Sequence, residues 1–444
     1  MQTQILPVGA EINSSYVLQN IVIGLPMGFG TNTIDLKVMD PTNIVGIPIE
    51  NIYKLEICNK LFPFYLHGKL ECSEIFDDFG KIATNHFLIC SVTLLDERGG
   101  ENSSKLEYSF IINSANTIEV NGVPRYIFEL ISTDAIYFSG IMQTGVSTYS
   151  ATGSTKKLST FISQIFPTEI PSLENSNSLS ETEISYISTN NCTIENAITD
   201  TLSMIIRTGK GLMFITYDIE QNTYKLANLK ERISADPEQY NQIALPDSSN
   251  MSLIGGVGEA HNISIASSSQ SKFLKIFKLL GNRLFKSFDK TTGNWVTLTP
   301  ARSILTDDII DDIKEYSMLG ENGINKFSKN IQVDKHDALT QFTNTTYYPN
   351  GEDTEYFNIL QDILLNTNNL IISVKNDFRR KLGDVCYLMA NTLNASKINS
   401  ITSLDGRWLL IENTIYFDKS KGLLNRLKLI RTDVVNNMDF SVQI

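Results

Sequence analysis

Two short echoes constrain this chain more tightly than any other feature of it. Leu130-Ile131-Ser132-Thr133-Asp134 returns as Leu429-Ile430-Arg431-Thr432-Asp433, and Asp78-Phe79 returns as Asp377-Phe378 at the same offset. Each longer copy closes an alternating apolar strand (Tyr126, Phe128, Leu130; Leu427, Leu429) that follows a glycine, Gly122 or Gly422. One such echo arises by chance. Two at one offset, in matching strand contexts, indicate a small β-unit built twice. A repeated β-unit is more often part of an assembly than an enzyme.

Composition then narrows the class. With 444 residues, 42% apolar and 19% charged, the chain is globular rather than disordered. At roughly 100–200 residues per domain it holds two to four domains. A net charge of -12 speaks against a general duplex-DNA binder, which needs clustered Lys and Arg. That charge still suits an acidic passage that DNA crosses without being held. Cys58, Cys72, Cys90, Cys192 and Cys386 are odd in number and form no CxxC pair, as expected of buried thiols in a reducing compartment. No basic segment followed by an apolar run opens the chain, so no signal peptide is expected. No apolar run reaches the ~18 residues of a membrane-spanning helix, so no membrane partner is expected.

Periodicity divides the chain. From Ile52 to Phe138 the period is two: Tyr53, Leu55 and Ile57 alternate with Lys54, Glu56 and Cys58, and Leu66, Leu70 and Cys72 continue the pattern. Further strands are predicted over His86 to Leu95 and Leu106 to Ile112, with turns at Gly99-Gly100 and Asn121-Gly122. Five or more antiparallel strands in so short a span fit a small barrel or sandwich. A helix capped by Ser154 then buries Leu158, Phe161, Ile162 and Ile165 and stops at Pro167. An exposed loop from Ser172 to Glu183 follows. A second helix from Thr193 presents Ile194, Ala197, Ile198, Leu202 and Ile205, and a hairpin follows over Leu212 to Tyr217 and Thr223 to Leu226. Beyond Pro237 the predicted strands are Asn262 to Ile265, Leu370 to Val374, Val385 to Met389, Trp408 to Asn413 and Leu424 to Arg431. Trp295 sits in a hairpin, and helices cover Asp307 to Tyr316 and the stretch from Tyr356.

The residues that carry chemistry elsewhere do not converge here. His67, His86, His261 and His336 are scattered, none at metal-ligand spacing, and no nucleophile elbow is present. Asp307-Asp308-Ile309-Ile310-Asp311-Asp312 pairs its acids at i,i+4. It lacks the alternation and glycine of a calcium loop, and reads as a solvated helix face capped by Thr306. Asp77-Asp78 reads as a turn. The glycine clusters Gly24-Leu25-Pro26-Met27-Gly28-Phe29-Gly30, Gly153-Ser154-Thr155-Lys156 and Gly255-Gly256-Val257-Gly258 match no phosphate-binding fingerprint and read as loops. Lys272, Lys275, Lys278, Arg283 and Lys286 form a locally basic run. Phe273, Ile276, Phe277 and Leu280 stand at helical spacing within it, which predicts an amphipathic helix with a Lys face able to touch a partner. No catalytic residue, metal ligand or cofactor is therefore expected.

The C-terminal segment carries a family likeness. Val374-Lys375-Asn376-Asp377-Phe378-Arg379-Arg380-Lys381-Leu382-Gly383-Asp384-Val385-Cys386-Tyr387-Leu388 resembles the strand entered through Gly-Asp in hub proteins of phages and contractile injection systems. Gly406-Arg407-Trp408-Leu409-Leu410-Ile411-Glu412-Asn413, followed by Leu424 to Arg431, is similar to their closing hairpin. The strands leading to Tyr126–Ala135 and the helix predicted over Lys156 to Phe166 resemble the first half of the same family. That family is the baseplate hub of contractile-tailed phages, the T-even-type hub, related to the hub part of type VI spike proteins.

The resemblance implies a β-rich α+β chain with two similar antiparallel, tube-like β-barrel domains and smaller α/β domains. On this chain they fall at 1–150 (first barrel), 151–235 (small α/β domain), 236–272 with 365–444 (second barrel) and 273–364 (inserted domain). It implies a non-enzymatic virion structural protein, made in the host cytoplasm, whose homotrimer joins a sixfold tail tube to a threefold central spike and lets DNA pass. Its implied partners are the spike protein, the tail tube or tape-measure protein, and baseplate wedge proteins. Two other readings remain open at this point: a distal tail or tube-like protein, and a glycan-binding or glycan-degrading tail protein. Only Trp295 and Trp408 supply the wide aromatics a glycan cleft uses.

Overall fold

The computed structural model describes residues 16–28, 34–61, 63–73, 88–96, 105–140, 156–157, 162–163, 165–174, 183–184, 193–205, 213–228, 232, 235–244, 258–259, 263–266, 284–289, 294–298, 332–334, 369–389, 406–419 and 422–430. Seven strands come first: β1 (Tyr16–Met27), β2 (Asp35–Ile47), β3 (Ile52–Lys60), β4 (His67–Ser73), β5 (Ile89–Asp96), β6 (Lys105–Val120) and β7 (Val123–Ser132). The short helix α1 (Asp134–Phe138) follows, then β8 (Lys156–Lys157), β9 (Leu173–Glu174), β10 (Glu183–Ile184), α2 (Ile194–Ile205), β11 (Met213–Asp218) and β12 (Thr223–Asn228). Next are β13 (Gln242–Ala244), β14 (Gly258–Glu259), β15 (Ile263–Ala266), β16 (Leu284–Asp289), β17 (Asn294–Leu298) and β18 (Gln332–Asp334). The last four are β19 (Asn369–Lys375), β20 (Val385–Met389), β21 (Gly406–Asp418) and β22 (Gly422–Ile430).

Fourteen strands from both ends of the chain form one continuous, mostly antiparallel sheet. Its pairing repeats. Strands β3-β4-β7-β6-β5-β1 are neighbours in that order, and so are β15-β19-β22-β21-β20-β13. The registers repeat as well. Leu130 faces Ile112 and Glu129 faces Ser114, so β6 bulges at Asn113. Leu429 faces Leu410 and Lys428 faces Glu412, so β21 bulges at Ile411. Bulges are set by local backbone and are hard to place twice by accident. Cys90 opposite Phe110 corresponds to Cys386 opposite Trp408. Thr133 is buried at the end of β7; Thr432, its expected counterpart, lies outside the described residues. The halves differ at one border. β1 runs antiparallel to β5, whereas β13 runs parallel to β20.

Local chemistry explains the hairpins. Asn121 and Gly122 have φ of 55° and 80°, the two left-handed positions of a tight two-residue turn, and Val120 faces Val123 across it. In the second hairpin Asp418 faces Gly422, whose φ is 77°, so that turn is one residue longer. Strand β3 buries Ile52, Leu55, Ile57 and Asn59 rather than keeping one phase from Tyr53. A register shift between Ile52 and Lys54 moves Tyr53 off the buried face, where Arg125 stacks 3.9 Å from its ring centroid.

The first half of the sheet shares its core with the small α/β segment. Phe64, Phe138, Phe166 and Tyr224 pack edge to face, with Phe138 4.8 Å from Phe64 and 5.3 Å from Phe166. Helix α2 adds Ala197, Ile198 and Leu202 to that core, and Thr193 Oγ1 accepts from the Asn196 amide at its start.

Several expectations are corrected. Strands β1 and β2 precede the predicted onset of strand structure at Ile52, and Gly24 to Met27 belong to β1 rather than to a loop. Lys156 and Lys157 pair with Ile184 and Glu183 as strands, so the helix predicted from 156 begins later, with helical residues at Ile162, Ser163 and Ile165. Leu173–Glu174 pairs beside β12 instead of being wholly loop. Lys286 stands in β16, so the basic run is not one helix to its end. The Trp295 hairpin is present, with Phe288 facing Trp295.

Candidate assembly interface

The two halves meet through one strand. β21 is 13 residues long, and β22 covers one of its edges from Leu409 to Asp418. Its other edge is shared: Gly406 to Leu409 pair with β20, and Glu412 to Asp418 pair with β3. Backbone bonds close the gap, with the Leu410 amide donating to Asp384 O (3.0 Å) and the Leu61 amide to Ile411 O (3.2 Å).

Side chains lock this join. The Cys58 thiol donates to Glu412 Oε1 at 3.3 Å, and the Thr414 hydroxyl lies 3.3 Å from both Cys58 Sγ and Glu412 Oε1. Burial, reinforced by the Glu412 charge, pushes the Cys58 thiol up to about 12, so it stays protonated and structural. Lys60 lies 3.8 Å from Glu412. Farther along the same face Glu56 receives Arg426 (2.7 Å) and Lys54 (3.0 Å). Burial works to raise the Glu56 carboxyl, but the two cations outweigh it and hold its pKa below the usual value.

The loop between β19 and β20, which carries Gly383-Asp384, is a polar knot. Arg379 forks onto Asp377 at 2.9 and 2.6 Å. Arg380 is buried and donates to Lys375 O (2.9 Å) and Tyr240 O (3.0 Å). Asn425 Nδ2 donates to Asn413 Oδ1 (2.7 Å), Asn413 Nδ2 to Arg380 O (3.3 Å), and the Asp377 amide to Asn425 Oδ1 (3.3 Å). Asp384 accepts from Arg232 (3.2 Å), Asn241 (3.2 Å) and the Lys381 amide (3.0 Å). Burial nevertheless raises its pKa. Gly383 has φ of 82°, and a Cβ there would lie 2.5 Å from Phe214 Cζ. Only glycine fits.

The β11–β12 turn ties this knot to the first half of the sheet. Asn59 of β3 donates to Tyr217 O (2.8 Å), and Tyr108 of β6 donates to Ile219 O (3.0 Å). Asp218, buried, sits between Lys381 (2.9 Å) and Lys225 (3.1 Å). Burial would raise its carboxyl, yet Lys381, the Gln221 amide and Lys225 pull it below the usual range. Tyr224 donates to Asp134 Oδ2 at 2.8 Å, which gives the closing residue of the first echo a structural partner. These bonds join residues far apart in the chain, so the arrangement holds elements in place.

Several strand edges stay open among the described residues, those of β6 and β2 among them. Ser114 to Val120 of β6 pair only with β7, and Ile118 among them is 41% exposed. β2 pairs only with β1 and exposes Val38 and Ile44.

Of the sequence candidates, His67 lies in β4, half-buried, with Nδ1 3.1 Å from Tyr65 O and its ring stacked on Tyr65. Burial lowers its pKa. His86, His261, His336, Asp77, Asp78, Asp307 to Asp312, Lys272, Lys275, Lys278 and Arg283 lie outside the described residues. Among the described residues no group of three or more His, Cys, Asp and Glu could hold a metal ion. Sequence reasoning missed Asn59, Asn413, Asn425 and Asp218, whose partners lie far along the chain. The usable signal was an Asn or Asp inside an otherwise apolar strand.

No protein-family model matches the chain, and no curated protein sequence matches it. Solved structures do. The tail protein from Neisseria meningitidis MC58 aligns with a TM-score of 0.47 and 10% identity, covering 95% of this chain and 98% of that one. The 43 kDa tail protein of prophage MuSo2 from Shewanella oneidensis aligns with a TM-score of 0.45 and 11% identity, covering 94% and 98%. A chain of the Francisella PdpA-VgrG complex gives 0.41 and 16%, covering 94% of this chain and 59% of that one. With TM-scores under 0.5, the functional reading stands on this chain's own geometry.

Proposed function

We propose that this chain is a structural tail component, the baseplate hub of a contractile tail. Three copies would form a ring of six near-equivalent β-units. The observation that carries this is the repeated strand order β3-β4-β7-β6-β5-β1 and β15-β19-β22-β21-β20-β13, with the bulge at Asn113 matched by the bulge at Ile411. A subunit with two like units, present three times, meets a sixfold tube on one side and a threefold spike on the other. In this reading each half is the wall of a tube-like barrel. The chain contacts the central spike, the tail tube or tape-measure protein and the wedge proteins of a virion baseplate, and has no enzymatic activity. A net charge of -12 suits a lumen that DNA crosses without being held. The protonated Cys58 thiol and the ion pairs of Glu412, Glu56 and Asp218 at the join favour a rigid connector over a catalyst. Sedimentation or native mass measurement tests this: a trimer is expected, and a hexamer, or a monomer at all accessible concentrations, overturns it.

A further inference from the structure

We infer that the open edge of β6, Ser114 to Val120, is completed by β15 of a neighbouring copy of this chain; the inference rests on the ring reading and gives its interface. The internal duplication sets up the correspondence. β6 holds the place of β21, because each forms the hairpin with the echo strand and each bulges at the same step. β15 holds the place of β3, because each flanks the strand that pairs with the echo strand: Leu55 faces Leu70 as Ile263 faces Ile372. Within one chain, β3 fills the far edge of β21. The matching edge of β6 has no strand against it among the described residues, and β15 pairs there only with β19.

Transferring the β3–β21 register gives the contact residue by residue. Glu56 faces Tyr416, Ile57 faces Ile415 and Cys58 faces Thr414. The equivalents place Ser264 opposite Ile118, Ile265 opposite Thr117 and Ala266 opposite Asn116, antiparallel.

The chemistry of the edges points the same way. An unpaired edge is ordinarily blunted by charge or proline. β2, the outermost strand, carries Asp35, Lys37, Asp40 and Pro41. The open part of β6 reads Ser-Ala-Asn-Thr-Ile-Glu-Val, with one charge and no proline. Its exposed Ile118 is what strand addition would cover. Because β6 and β15 are different strands, the contact is head to tail. Such contacts propagate around a ring and leave no half unmatched when the ring closes.

The test is disulfide trapping. Residues directly opposite in an antiparallel pair have Cα atoms about 4.5–5.5 Å apart, within disulfide reach. The double variant Ile118→Cys/Ser264→Cys, oxidised at concentrations where the protein associates, is expected to give covalent dimers and trimers on a non-reducing denaturing gel. The parent protein, each single variant and the off-register pair Glu119→Cys/Ser264→Cys should run as monomers. If the double variant does not fold, amide exchange of the unmodified protein serves instead, with exchange over 114–120 about tenfold slower on association. A trimer that neither cross-links at 118–264 nor protects 114–120 overturns the strand pairing and leaves the hub reading standing. A protein that stays monomeric at every concentration removes both, and a disulfide within one chain removes the pairing.

Discussion

The hairpins β6–β7 and β21–β22 are the same element in different surroundings. Ile415 of β21 is 1% exposed because β3 lies beside it, whereas Thr117, at the equivalent place in β6, is exposed. The join in the second hairpin also has Cys58, Thr414, Glu412 and Lys60 bonded across it. The positions equivalent to Cys58, Thr414 and Glu412 are Ala266, Asn116 and Ser114, which cannot rebuild that charged set. The duplicated backbone thus supplies two like edges. One is joined to β3 within the chain; the other has no second strand against it among the described residues.

The sharpest way to break this comparison is at the polar knot that only the second half is shown to possess. Gly383→Ala should cost about 3 kcal/mol, from a Cβ driven into Phe214 and a left-handed backbone, read as a large drop in unfolding midpoint. Asn425→Ala should cost about 2 kcal/mol in chemical denaturation, because it leaves Asn413 Oδ1 without its donor and the Asp377 amide without its acceptor. Its counterpart in the first half is Tyr126, whose ring stacks 6.4 Å from that of Phe128.

Titration sharpens the same point. The folded pKa of Asp218 lies below 3.8, so its contribution is present above that value and is lost as pH falls through the folded pKa. Asp218→Asn should therefore lose about 2 kcal/mol at pH 7 and almost nothing in strong acid, flattening the acid limb of a stability-against-pH curve. An unchanged acid limb would separate Asp218 from the join. The smallest effects belong to the turns. Gly122→Ala and Gly422→Ala meet no atom within 4 Å, so each should cost only about 1 kcal/mol of backbone strain, and by similar amounts.

Much of the sheet is legible in the sequence. Asn121-Gly122 between apolar runs marks its hairpin, and Ile194, Ala197, Ile198 and Leu202 mark helix α2, because local backbone preference and burial agree there. β2 was not legible, since an edge strand exposed on both faces has no alternation to read. β1 was hidden by Gly24 and Pro26, which signal turns locally yet lie in a paired strand. The join was legible only as the motif Gly383-Asp384. Its working partners, Asn59 with Tyr217 O and Lys381 with Asp218, are brought together by chain topology alone.

The central claim, one β-unit built twice, is tested most directly by an experimental structure of the assembled protein. Superposing β4, β5, β6 and β7 on β19, β20, β21 and β22 should bring the bulge at Ile411 onto that at Asn113 and Thr432 onto Thr133. Thr432 leaving the strand path elsewhere, or the bulges falling at different steps, would contradict the duplication.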